Sequence, residues 1–148
     1  MLKHPEFLGA ETHFSHGVLL LQMGKHAKAK IMLEIALPEQ VRLQQKRPDN
    51  PSAYRVAGQA LKLLGLQEEA QAEFLRALEK DRARLERVCG TDSEAMVRWS
   101  LGQTLLAAGE PAAALEQLLM ARAVAPDRNT QRVIDTWIES DFGKDAWK

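Results

Sequence analysis

The chain has one cysteine, Cys89, among 148 residues, so neither an internal disulfide nor a cysteine-based zinc cluster is available to it. Aromatic residues make up only 5%, too few for a surface that stacks nucleic-acid bases. Charge of one sign is also lacking. Twenty basic and twenty acidic residues cancel, which removes any bulk field toward nucleic acid or anionic lipid. The longest aliphatic run is GVLLL, residues 17 to 21, against the roughly 20 apolar residues that span a bilayer. The opening stretch, MLKHPEFLGAETHF, has no apolar core or small-residue cleavage site of a secretory signal. A reducing, cytoplasmic setting is therefore expected, with no nucleic acid and no membrane as partner. With 45% hydrophobic and 27% charged residues, the length suits a single domain, 1–148, with a sizeable core.

What the chain does contain is a repeat. Three segments align without gaps: HFSHGVLLLQMGKHAKAKIMLEIAL, YRVAGQALKLLGLQEEAQAEFLRAL and RWSLGQTLLAAGEPAAALEQLLMAR. Gly17, Gly58 and Gly102 share one position, and a turn glycine follows seven residues later each time, at Gly24, Gly65 and Gly109. Leu20, Leu61 and Leu105 share a register. So do the small pairs Ala29 with Ala36, Ala70 with Ala77 and Ala114 with Ala121, each enclosing one large residue: Leu33, Phe74 or Leu118. A glycine inside a helix costs about 1 kcal/mol against alanine, so three in register indicate close helix contact. The pattern predicts three helical hairpins.

The middle hairpin carries Tyr54, Ala57-Gly58, Leu61, Ala70 and Phe74, and the third carries Leu101-Gly102, Leu105, Ala114, Leu118 and Pro126. With these residues the chain resembles a tetratricopeptide repeat (TPR) protein. The match is weakest in the first hairpin, where His13 and His16 replace the aromatic and the leucine. Arg98 replaces the aromatic in the third, with Trp99 one residue late. The mid-helix glycines are 41 and 44 residues apart, longer than the family's 34, and the long spacers are similar to the extended repeats of kinesin light chain-like proteins. The resemblance implies an all-α fold, a right-handed α–α superhelix of three hairpins (about 10–43, 51–89 and 92–126) closed by a capping helix.

Local signals refine the boundaries. Pro38 is expected to kink or end the first hairpin's second helix. Asn50-Pro51 reads as a helix start. The stretch 77–90 stays amphipathic without proline, so a helix should run to about Cys89 before Gly90, and Thr91 with Glu94 forms a capping-box pattern. Residues 128–140 place Val133, Ile134, Trp137 and Ile138 on one face, suiting a helix that covers the open end of a repeat stack.

Catalytic chemistry is not evident. The four histidines, His4, His13, His16 and His26, form no recognised ligand motif, and His13 and His16 fall at packing positions of the repeat. Cys89 beside Arg87 offers a reactive thiol or, more simply, a small hydrophobe near a helix end. No phosphate loop, GxSxG elbow or HExxH helix occurs, and the DFG of the tail stands without other kinase motifs. Glu68, Glu69 and Glu73 read as solvated. RALEKDRARLER, with Glu79, Asp81 and Glu86 interleaved, reads as a salt-bridged exposed face. No enzyme activity, cofactor or metal is expected.

The resemblance implies instead that the first helix of each hairpin lines a concave groove that takes a protein or peptide partner. In register these positions are Phe14, Val18 and Leu21, then Arg55, Gln59 and Lys62, then Trp99, Gln103 and Leu106. Apolar anchors thus flank a polar, basic middle, suited to a partner with hydrophobic anchors around an acidic segment. Trp99 is expected to be a free anchor outside the core. For Phe14, Val18 and Leu21 the alternative is burial under the N-terminal residues. The expected role is an adaptor, scaffold or partner-specific chaperone, and the alternative is a self-associating structural module whose apolar first hairpin stacks on a second copy.

Overall fold

The computed structural model describes the backbone of residues 5–146 and the side chains of residues 13–146. Among the described residues it contains seven α-helices and no strand: α1 (Pro5–Gln22), α2 (His26–Lys46), α3 (Pro51–Leu63), α4 (Gln67–Val88), α5 (Glu94–Ala107), α6 (Pro111–Ala123) and α7 (Arg128–Phe142). The chain divides into two compact units, Met1–Ala77 and Leu78–Lys148, with the boundary inside α4.

The three hairpin turns are built alike. Gly24, Gly65 and Gly109 have φ of +76°, +83° and +86°, a left-handed conformation that any side chain would strain. One residue beyond each glycine, a backbone N–H returns to a register leucine: Lys25 to the Leu20 carbonyl at 2.8 Å, Leu66 to Leu61 at 2.9 Å and Glu110 to Leu105 at 2.9 Å. These bonds satisfy carbonyls that a helix end leaves open.

The mid-helix glycines do what their register predicts. A Cβ placed on Gly17 would lie 2.9 Å from Leu33, one on Gly58 2.6 Å from Phe74, and one on Gly102 2.9 Å from Leu118. Each large residue is buried on the missing side chain of the opposing helix, and the alanines at positions 29, 36, 70, 77, 114 and 121 are buried around it. In the second unit, Ala95, Leu118, Ala121, Ile134 and Ile138 form one core cluster, and Leu78, Leu101, Leu105 and Ala114 form another.

The boundaries follow expectation in part. α2 continues through Pro38 to Lys46. The proline forfeits one backbone hydrogen bond without ending the helix, and Gln40 and Gln44 beyond it are buried. Asn50 caps α3 by accepting the Ser52 N–H at 2.9 Å, with Pro51 in the first turn. α4 ends at Val88, and Gly90 follows at φ +85°. The Thr91–Glu94 box forms one residue out of place. The Thr91 N–H is already bonded to the Val88 carbonyl, so the Glu94 carboxylate takes the Gly90 N–H instead, at 2.9 Å. Asp127 caps α7 through the Thr130 N–H, and the helix runs to Phe142, past the expected 140. Of its four apolar residues Ile134 and Ile138 are fully buried and Trp137 is half-buried. Val133 is exposed and takes no part in the core.

Candidate functional site

On α1, Phe14, Val18 and Leu21 are half-buried. On α3, Arg55 and Gln59 are half-buried and Lys62 is exposed. Spacings of four and three residues place Arg55, Gln59 and Lys62 on one stripe of α3, and Trp99, Gln103 and Leu106 on the corresponding stripe of α5. Gln103 is half-buried. The first six positions fall in one compact unit and the last three in the other.

Two of the α5 positions turn inward. Trp99 packs against the Leu118–Ile134–Ile138 cluster and meets Trp137 edge to face, with ring centroids 5.9 Å apart. Its indole N–H is buried without a partner. Trp99 is thus not the free anchor expected from register. α7 adds apolar surface that the first helices of earlier hairpins do not receive from within their own pair, and the indole is spent on it. Leu106 packs against the Leu78–Leu101–Leu105–Ala114 cluster. The register itself is intact. Arg98, standing where Tyr54 stands in the middle hairpin, is satisfied by Glu94 at 2.7 Å and Gln117 at 2.8 Å. The Arg98 guanidinium, then the Gly90 N–H, hold the Glu94 carboxyl below the usual carboxylate range.

Other candidate residues resolve as follows. His13 is half-buried and lies 2.8 Å from Glu39, while His16 is exposed and does not pack as expected. His26 is exposed, and His4 lies outside the described residues. Cys89 is exposed and stands one residue past the end of α4, near a helix end as expected. Glu73 is half-buried and accepts from Gln44 at 3.1 Å and Arg76 at 3.2 Å. Asp81, expected on a solvated face, is fully buried and accepts from Ser100 at 2.7 Å and Thr104 at 2.8 Å. Among the described residues no three His, Cys, Asp or Glu side chains converge in a way that would hold a metal ion. No helix among them is long and apolar enough to cross a membrane.

A surface that register does not mark lies along the α1–α2 turn. Leu19, Met23 and Ile31 are exposed at 52%, 55% and 54%, and with His16, Lys28 and Met32 they line a cleft of about 360 Å³. The signal in the sequence is the GVLLL run, whose leucines cannot all face one hairpin core.

Comparison of the chain with protein-family models, with curated proteins and with solved structures yields no match in any of the three.

Proposed function

We propose that this chain is a protein-interaction module of the TPR type, a right-handed α–α superhelix without catalytic activity that acts as an adaptor, scaffold or partner-specific chaperone. The observation that carries the reading is the threefold contact of Leu33, Phe74 and Leu118 on Gly17, Gly58 and Gly102, with a matching glycine turn in each hairpin. Repeated hairpins of this build present successive first helices as a binding face. The stripe Arg55–Gln59–Lys62 supplies a polar, basic segment of that face, suited to an acidic stretch of a partner peptide.

Affinity capture from native extract tests this with two variants. Wild-type protein and a Leu19→Asp/Met23→Asp variant are expected to retain the same partner, while Arg55→Glu/Lys62→Glu loses it. Retention by the stripe variant removes this face from the proposal. The exposed Leu19, Met23 and Ile31 favour a second reading, self-association through the first hairpin. It requires a concentration-dependent oligomer in light scattering that Leu19→Asp/Met23→Asp abolishes.

A further inference from the structure

The chain is neutral as a whole, with twenty basic and twenty acidic residues, but its charges are not evenly spread. Between residues 12 and 33 there is no aspartate or glutamate, while Lys25, Lys28 and Lys30 all fall there, as do His13, His16 and His26. The three lysines are exposed. The same stretch holds the α1–α2 turn and three large apolar side chains left on the surface, Leu19, Met23 and Ile31. The core of this hairpin does not use them, since its buried positions are filled by Leu20, Ala29, Leu33 and Ala36.

Basic and apolar groups meet in the cleft of about 360 Å³ between α1 and α2. Leu19, Met23, Ile31 and Met32 form its walls. His16, Lys25 and Lys28 bring the polar groups, and no acidic side chain is among the described lining residues. Clefts that hold ligands run from about 300 Å³ upward, so there is room for more than one branched side chain. The apolar walls alone suit several occupants, and charge and shape select among them. In a two-fold pair the same patch meets itself, which sets one basic rim against another. A bilayer takes up apolar side chains from a helix lying in its surface, whereas these line the walls of a cleft between two helices. A segment that carries both apolar anchors and carboxylates satisfies the walls and the rim together.

We propose that this cleft binds a short acidic peptide segment of a partner, with leucine-like anchors between the apolar walls and carboxylates facing Lys25 and Lys28. The surface uses none of the residues of the α3 stripe, so it is a second binding face and stands or falls apart from the first. Because both lysines are exposed, added salt weakens the complex.

The test uses full-length protein with ¹³C-labelled methionine methyls and three blocked peptides. The peptides share one leucine pattern and carry glutamate, glutamine or lysine at the other positions. Met23 and Met32 line the cleft, and Met96 on α5 and Met120 on α6 serve as controls. With the glutamate peptide, saturable shifts are expected at Met23 and Met32 and none at Met96 or Met120. The glutamine peptide is expected to bind at least tenfold more weakly, and Lys25→Glu/Lys28→Glu to reverse the preference in favour of the lysine peptide. Arg55→Glu/Lys62→Glu should bind the glutamate peptide as the wild type does, which separates this surface from the α3 stripe. No saturable shift, equal binding of the glutamate and glutamine peptides, an unchanged preference in the Lys25/Lys28 variant, or loss of binding in the stripe variant would overturn the proposal. Shifts of Met23 and Met32 that follow protein concentration alone would also overturn it, since the occupant is then a second copy. Stronger shifts with vesicles of equal parts phosphatidylserine and phosphatidylcholine than with the glutamate peptide would do the same, in favour of a lipid surface.

Discussion

The α2–α3 and α4–α5 junctions occupy the same place in the repeat and solve the same packing problem differently. At one, a buried carboxyl meets two hydroxyls at 2.7 and 2.8 Å. At the other, the buried residue is Gln40, and the positions of the two hydroxyls are held by Val56 and Ala60. Within the hairpins, by contrast, three glycines receive three large side chains in one register. The lesson is that the hairpin is the repeated unit, held by shape, and each junction between hairpins is individual, held by whatever polar groups its residues bring.

The largest expected effect breaks the satisfied junction. Ser100→Ala with Thr104→Val leaves Asp81 buried without either hydroxyl. Hydrogen bonds to charged groups contribute about 1.5–3 kcal/mol each, so the double variant should lose about 3 kcal/mol or more in urea unfolding. Gln40→Leu at the other junction should change stability by about 1 kcal/mol or less, because Val56 and Ala60 bring no hydroxyl that could be left without its acceptor. A similar loss from both changes would show that the junctions do not differ.

The repeated part is tested next. Gly58→Ala forces a Cβ to 2.6 Å from the Phe74 ring, and overpacking of this kind costs about 1–3 kcal/mol. Gly17→Ala and Gly102→Ala meet leucines at 2.9 Å, which can shift. Their strain should be largely offset by the helix preference of alanine, about 1 kcal/mol. Thermal unfolding should therefore rank Gly58→Ala well below the other two. Equal melting temperatures would mean that Phe74 yields as readily as leucine.

A smaller effect comes from grafting one junction onto the other. Gln40→Asp alone should destabilise, and adding Val56→Ser should recover part of the loss, with a coupling of about 1 kcal/mol in a double-mutant cycle. No coupling would mean that the register equivalence of Val56 and Ser100 does not extend to their side chains.

The smallest concerns Glu94, which has no analogue at the α2–α3 junction, where Asn50 caps the helix. Its folded pKa is lowered by Arg98 and the Gly90 N–H, so its stabilising contribution is present above the usual carboxylate range and is lost as pH falls through the lowered value. The melting-temperature gap between wild type and Glu94→Gln should be a few degrees near neutral pH and close below about pH 4. A gap that widens on acidification would contradict the sign of the shift.

Much of the architecture was legible before any coordinates, for a local reason. Each mid-helix glycine and the large residue it receives are sixteen positions apart, and each turn glycine is seven beyond its partner, so a single hairpin contains the whole relation. Of the two outcomes expected of Pro38, a kink or an end, the end does not occur, because a one-residue rule weighs a lost backbone bond without the packing of the turns beyond it, where Gln40 and Gln44 are buried. Trp99 was placed correctly on its helix and wrongly in its environment, because Trp137 approaches from a helix 38 residues later. Of the candidate groove positions, the sequence placed Arg55, Gln59 and Lys62 on one stripe of α3 and could not show that Trp99 and Leu106 turn toward core clusters.

Taken alone, the amino-acid sequence determined that the chain is all-helical, where its hairpins turn, and which glycines and large side chains meet, since these follow from periodicity and from the φ that glycine alone adopts freely. Only the tertiary structure decided which polar residues are buried and which of those are satisfied. Asp81 and Gln40 look alike in periodicity, and a charged run such as ALEKDRARLER reads as solvated until hydroxyls from α5 are seen within 2.8 Å of it. The physical reason is range. Helix formation and hairpin closure are set by neighbours along the chain, whereas the cost of burying a polar group depends on a donor that another element brings to within a hydrogen bond's length, and no local pattern carries that distance.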